Sequence, residues 1–310
     1  MAQQLRVLEL FAGIGGCAAA IGGKAEVVSA VDSDQEAISV YRHNFANATI
    51  DQPVESLTTK WFRDCAADVW WMSPPVLPYV HAGLRREIDD ARAKGLLHIL
   101  KQIENVKPRY IAMESVPAFD KSLARQLLLE TLAESDYEWQ ETQLCPTELG
   151  IPNQRRRYYL VASRDAVQAW KPLNEALQFP LSATLDETTA DDLVIAPELL
   201  AMHRGVMHVV DANDSCSVSS CFTSDYGRSV NKTGSYLLTA GRVRHFAPTE
   251  MLRQLGFPPS FSLPEGTSRP VGWRLVGSSL SIPAVRYILD ALPGLMTRRS
   301  RVVSVAAKKV

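Results

Sequence analysis

LRVLELFAGIGG, Leu5–Gly16, is the stretch whose reading decides the fold. LRVLEL is a short run of strand-forming residues, and it passes directly into a turn with glycine at positions 13, 15 and 16. Lacking a Cβ, glycine lets the chain bend tightly and lets its backbone come close to a ligand. The small residues that follow read as a helix whose first N–H groups are free to meet a carboxylate or a phosphate. A second strand, AEVVSAVD, ends in Asp32. Strand, glycine turn, helix, strand and terminal acid is the order found in nucleotide-binding sheets, where the acid accepts hydrogen bonds from ribose hydroxyls.

The same alternation continues down the chain. QEAISVYRHNF reads as a helix, DVWWMS as a strand, ARAKGLLHILKQIENV as a helix, RYIAMES as a strand, LARQLLLETLAESD as a helix and YYLVAS as a strand. Strands alternating with helices at this spacing build βαβ units, so the expected class is α/β with a doubly wound, mostly parallel sheet. From residue 166 to 243 the pattern loosens into stretches rich in Ser, Asn, Asp and Gly, such as DANDSCSVSSCFTSDYGRSVNKTG. Order returns at APTEMLRQLGF, with Thr249 read as the helix cap and Gly256 as its stop, and at SIPAVRYILDAL. The expected domains are therefore 1–165 with 244–295, a smaller irregular region 166–243, and a basic, disordered tail 296–310.

In a doubly wound sheet the carboxyl ends of the strands share one edge, and ligands bind there. That edge should gather Asp32, the loop SPPVLPY (Ser73–Tyr79) and Glu114 of AMESVPAF. The two prolines stop strand pairing and stiffen the loop, which suits a reactive side chain, yet Val76 has no reactive atom. Glu114 could exchange a proton with a heterocycle nitrogen or simply cap the next helix. In NQRRR (Asn153–Arg157), strand alternation would point Arg155 and Arg157 one way and Arg156 the other, and two guanidiniums on one face suit a phosphate or a base carbonyl. FAGIGG has neither the G-x-G-x-x-G nor the P-loop spacing, so an adenosyl ligand without pyrophosphate, S-adenosylmethionine, fits the turn best.

The net charge of −1 gives no overall attraction to nucleic acid or anionic membrane, so any nucleic-acid contact must be a local basic patch. Five widely spaced cysteines (17, 65, 145, 216, 221) without a CxxC pair point away from a metal site. With no leader pattern and no apolar run near 20 residues, the expected setting is the cytoplasm, or the nucleus in a eukaryote, with no membrane.

Together these motifs resemble the cytosine-5 methyltransferase family of the DNA-methylating type. FAGIGG is similar to its cofactor loop, SPPVLPY to its Pro-Cys loop, ESV to its Glu-Asn-Val, NQRRR to its Gln-x-Arg-x-Arg and RLVGSSLSIPAV to its final Gly-Asn-Ser segment. CFTSDYGRSVNKTGSYL, from Cys221, is similar to a Cys-Phe-Thr signature in the branch that methylates the anticodon loop of aspartate tRNA. The resemblance implies the class I S-adenosylmethionine-dependent methyltransferase fold, with 166–243 as the target-recognition domain. It implies that Phe11, Ala12, Gly13, Ile14 and Gly16 surround the cofactor's amino-acid end and that Asp32 holds the ribose. Glu55 would meet the adenine amine, with Pro75 and Ser278 also against the cofactor. Glu114, Arg155 and Arg157 would hold the flipped base and its phosphates, and Cys221, Phe222, Thr223 and Tyr226 would face the substrate, tRNA rather than DNA.

Val76 falls where the family has its nucleophilic Cys, Leu77 where it has Gln, and Ser115 and Ser278 where it has Asn. Three functions stay open on the sequence: a cofactor-binding protein unable to methylate cytosine C5, an active methyltransferase using Cys221 or a non-covalent route, or a non-catalytic RNA-binding partner of an active paralogue.

Overall fold

A computed structural model describes residues 4–75, 93–173, 178–187, 190–203, 205–230 and 233–296. The larger sheet has seven strands: β1 (Arg6–Leu10), β2 (Glu26–Asp32), β3 (Thr49–Asp51), β4 (Val69–Met72), β5 (Tyr110–Ser115), β6 (Glu138–Leu144) and β7 (Arg157–Ser163). Their order is β3-β2-β1-β4-β5-β7-β6, reversing direction across the sheet at β1, with β7 antiparallel to both neighbours. β4 and β5 are apolar almost throughout because both of their faces are covered. Two facing clusters result. Leu8, Leu10, Trp70, Met72, Ile111 and Met113 pack under α4 (Lys94–Val106) and α5 (Leu123–Glu134). Val7, Trp71, Tyr110 and Ala112 pack on the other side against α1 (Gly16–Ile21) and the chain's last helices.

Two strands escape the sequence reading. β3 is three residues long, and β6, EWQETQL, is an edge strand whose polar, half-buried residues carry no apolar alternation. The expected doubly wound sheet is otherwise present. α2 (Gln35–Asn44) and α3 (Thr59–Cys65) fill the remaining crossovers, capped by Asp34 and Thr58.

The region after β7 is more ordered and more tightly joined than expected. Residues 166–171 fold back on the last helix, Trp170 donating to the Ile288 carbonyl (3.2 Å) and Gln168 N to Ala291 O (3.2 Å). That segment is therefore fastened to the chain's last helix and the turn after it. A small sheet, β10-β9-β8, follows: β8 (His208–Asp211), β9 (Ser235–Thr239) and β10 (Arg242–Arg244), with α6 (Pro197–Met202) ahead of it. Leu193, Val210, Phe222, Tyr226, Leu237 and Phe246 from here share one apolar cluster with the face of the large sheet. A buried pair, Arg244 to Glu250 with both contacts at 2.7 Å, ties β10 to α7 (Pro248–Gln254).

α7 corrects the reading of Thr249. Its N-cap is Ala247, Thr249 lies inside the helix, and its hydroxyl donates to Asp186 (2.9 Å). Glu250 carries out the capping instead, accepting from Ala247 N at 2.7 Å. Gly256, at φ 80°, does follow the helix end. α8 (Arg269–Gly277) and α9 (Ile282–Leu289) complete the fold. Residues 297–310 of the basic tail lie outside the described residues.

Candidate active site

The carboxyl edge of the sheet assembles two adjoining pockets. In the first, β1 is followed by Phe11, a non-glycine residue in the left-handed region (φ 56°), whose carbonyl accepts from Ser73 Oγ at 3.0 Å. Such a conformation is costly for a large side chain and persists only where its surroundings hold it. Ala12 N donates to Val31 O (2.9 Å) and Gly13 N to Asp32 Oδ2 (2.7 Å), so the turn is stitched to the end of β2. A side chain at Gly15 would strike Phe45 at 2.5 Å, and one at Gly16 would strike Leu280 at 2.9 Å, which explains both glycines by packing. One at Gly13 would meet nothing within 4 Å, so the turn opens onto free space there. Ile14 is buried beneath it.

Asp32 accepts a second backbone hydrogen bond, from Asp34 N at 2.9 Å. Burial raises its pKa, opposed by the N–H groups of Asp34 and Gly13. The Phe11 ring and the Glu55 carboxylate meet at Gly95, the second residue of α4: a Cβ there would lie 2.9 Å from the ring and 3.5 Å from Glu55 Oε2. Ser278, exposed at the end of α8, donates to Arg274 O (2.9 Å), and Arg274 reaches across to Asp34 and Glu36. The pocket thus has a glycine turn with free space, an acid at the end of β2, an aromatic face with a carboxylate beside it, and a far wall tied to the helix after β2. A zwitterionic nucleoside fits those donors and acceptors.

Sequence reasoning missed one acid here. β3 pairs with β2 so that Asp51 lies directly beside Asp32, at the same edge of the sheet. Recognising β3 as a strand would have found it. It also missed Glu9, which lies in β1 under the glycine turn. Its carboxyl group accepts from Cys17 N and Tyr41 Oη, each at 3.0 Å, and burial pushes its pKa up to about 8. Cys17 is wholly buried in the core beside it.

The second pocket lies between β5 and β7. Glu114, buried on β5, pairs with Arg157 Nε at 3.1 Å. Burial raises its pKa, with Arg157 and then Arg155 pulling it down. Arg157 opens β7, and Arg155 precedes the strand, yet both guanidiniums turn to one point, Cys221 Sγ, at 3.4 Å (Arg155) and 3.5 Å (Arg157). Burial alone would raise the Cys221 thiol, but the two arginines outweigh it and hold it below its usual value. Arg156 is exposed and pairs with Glu148.

Three of the residues expected at the substrate are buried among their neighbours. Arg155 is buried and its guanidinium is occupied by the carbonyls of Phe222 (2.9 Å), Gly277 (3.2 Å) and Ser279, so it braces the recognition segment to the end of α8 and has no free fork for a phosphate. Phe222 and Tyr226 are also buried, packed on each other and on Phe246 and Trp273, and the Tyr226 hydroxyl is satisfied by Ser235 O and Phe246 N. They support the segment from beneath. Thr223 is half-buried and remains at the surface of the cleft region. Pro75 is exposed, and Val76 and Leu77 lie outside the described residues.

Residues 5–194 match the model of the C-5 cytosine-specific DNA methylase family. The chain belongs to this family, whose members use S-adenosylmethionine as methyl donor. It is 27% identical to the Homo sapiens tRNA (cytosine(38)-C(5))-methyltransferase, over 94% of this chain and 99% of that protein. Among solved structures it is similar to the Entamoeba histolytica methyltransferase EhMeth (TM-score 0.86, 25% identity, 93% of this chain and 99% of that one) and to S. pombe Dnmt2 methyltransferase (TM-score 0.83, 26% identity, 94% and 100%).

Proposed function

We propose that this protein binds S-adenosylmethionine and a cytosine in a tRNA anticodon loop, that of aspartate tRNA by resemblance, but does not methylate cytosine C5 by the family's covalent route. Val76 in the nucleophile loop carries this reading. When bound, the cofactor would supply an electrophilic methyl group on a sulfonium. Asp32 would accept hydrogen bonds from the ribose hydroxyls while holding the turn through Gly13 N. Phe11 and Glu55 would receive the adenine, and the free space at Gly13 would take the amino-acid end. Glu114, with its raised pKa, could donate a proton to the cytosine ring nitrogen, and Arg157 would fix its orientation. Glu114 and Arg157 would then hold the base, and Val76 offers no nucleophile.

Retention of the cofactor can be tested apart from catalysis. Titration calorimetry should show S-adenosylhomocysteine binding, and Asp32→Ala should weaken it by about 10- to 100-fold, because the ribose contacts and the stitch to Gly13 are lost together. No heat at millimolar ligand would mean that the pocket does not bind.

One observation favours a second reading, in which Cys221 serves as the nucleophile: its thiol lies between two guanidiniums beside Glu114. The alkylation rate of Cys221 by iodoacetamide, followed by peptide mass spectrometry, should then be half-maximal below the ordinary thiol pKa of about 8.5. Arg157→Met should move that midpoint upward. Mass spectrometry of nucleosides from treated tRNA decides whether such a thiol is used. A third role, as a non-catalytic partner of an active paralogue, would appear as co-purification of the two chains.

A further inference from the structure

Fifteen of the sixteen described arginines have an acceptor for the guanidinium, whether a carboxylate, a carbonyl, a hydroxyl or, for Arg157, the Cys221 sulfur as well. Arg228 is the exception: it is exposed, and its guanidinium meets no acceptor among the described residues. Its backbone, by contrast, is firmly held. Arg228 N donates to Asp225 O (2.9 Å) and Tyr226 N to Thr223 O (3.1 Å), so the segment is two successive turns.

Those turns are pressed onto α8. A Cβ at Gly227 would lie 2.2 Å from the Trp273 ring, and one at Gly277 would lie 2.2 Å from the Thr223 carbonyl oxygen. At both points the segment and α8 are therefore in direct contact with no gap between them. The segment starts at Cys221, whose sulfur meets Arg157, and ends at Arg228, seven residue steps further along the chain. Fully extended they would span at most about 25 Å, and the turns shorten this. Arg228 therefore lies within a few nucleotides of any base held by Glu114. A planar cation mounted on a hydrogen-bonded turn, its guanidinium meeting no acceptor among the described residues, is suited to a phosphate group.

We propose that Arg228 holds a backbone phosphate of the RNA whose cytosine enters the Glu114–Arg157 pocket. This rests on the reading that the protein binds tRNA. It also answers the difficulty raised by a net charge of −1: attraction for the nucleic acid is local, and its cation is mounted on the recognition segment itself.

Fluorescence anisotropy with the full-length protein and an unmodified tRNA transcript, between 50 and 300 mM KCl, tests it. Arg228→Gln should weaken binding roughly 3- to 10-fold and reduce the slope of log K against log [salt] by about 1, the signature of one lost phosphate contact. Arg228→Lys should restore the slope. Arg63→Gln, whose guanidinium already meets the Asn105 carbonyl, should change neither quantity. Equal affinity and equal slope for Arg228→Gln and the unaltered protein would overturn the assignment while leaving tRNA binding intact. Failure of the unaltered protein to bind the transcript would overturn both this inference and the tRNA half of the proposed function, with cofactor calorimetry unaffected. A slope change seen only with duplex DNA of the same sequence would overturn the RNA assignment.

Discussion

Incubated with labelled S-adenosylmethionine and unmodified tRNA, this protein should leave no label on cytosine C5. C5 is too poor a nucleophile to accept a methyl group unaided. In the family's route a thiolate adds to C6, the displaced electron pair settles on the ring nitrogen as a Glu, a part Glu114 would take here, supplies a proton, and C5 becomes enamine-like. After methyl transfer the C5 proton is removed, the double bond re-forms and the thiolate leaves. Valine has no lone pair with which to begin. Removing a covalent nucleophile costs on the order of 10⁶-fold in rate where it has been measured, which puts transfer below detection. Val76→Cys should restore measurable transfer, because the Glu114–Arg157 pair is assembled at 3.1 Å without it. If it does not, Leu77→Gln and Ser115→Asn are the next reversions, Ser115 Oγ being buried without a partner among the described residues. Robust C5 methylation by the unaltered protein would overturn the reading, and its loss on Cys221→Ala would transfer the role to that thiol.

Glu9→Gln should stabilise the fold at neutral pH, by roughly 2–3 kcal/mol. Burial raises the Glu9 carboxyl from 4.5 to about 8, against hydrogen bonds from Tyr41 and the N–H groups of Cys17 and Ala18 that favour its ionised form, with Asp32 adding repulsion. For a folded-state pKa above the unfolded one, the contribution is fully present below pH 4.5. It is lost as pH rises to about 8 and constant beyond. At pH 7 the unfolded chain gains from ionising Glu9 while the folded chain must keep it neutral, and each unit of displacement is worth about 1.4 kcal/mol. Glutamine keeps a carbonyl oxygen that can accept from Cys17 N or Tyr41 Oη and stays neutral at every pH. Denaturant melts at pH 4.5, 6, 7 and 8.5 should therefore give curves for the two proteins that converge at the acid end and separate upward. Parallel curves would show that Glu9 does not titrate in this window.

The sheet, its order of elements and the edge that carries the site were legible because β1, β4 and β5 are apolar runs bounded by sharp turns, and because glycines 13, 15 and 16 can be read as a turn. β3 escaped because three residues are too few to show a period, and Asp51 escaped with it. β6 escaped because an edge strand with one partner has little reason to be apolar. Arg155 and Arg157 were read as equivalent from spacing alone. Three-dimensional neighbours divide them: the Phe222, Gly277 and Ser279 carbonyls claim one, and Glu114 claims the other. Phe222 and Tyr226, placed at the substrate by motif, face inward because the recognition segment needs its own aromatic footing on Trp273 and Phe246.

That footing has a consequence for how a substrate is admitted. Leu193, Val210, Phe222, Tyr226, Leu237 and Phe246 belong to the same apolar cluster as Val7, Trp71 and Tyr110 beneath the main sheet. A recognition region that swung away like a jaw would have to expose this shared interior to water, at about 25 cal/mol for each Å² uncovered. The recognition region is therefore held against the main sheet. Under the proposed function, deformation would fall to the incoming loop, whose cytosine must leave its stack to reach Glu114, and small-angle scattering of the protein should be nearly the same whether its cofactor pocket is empty or filled.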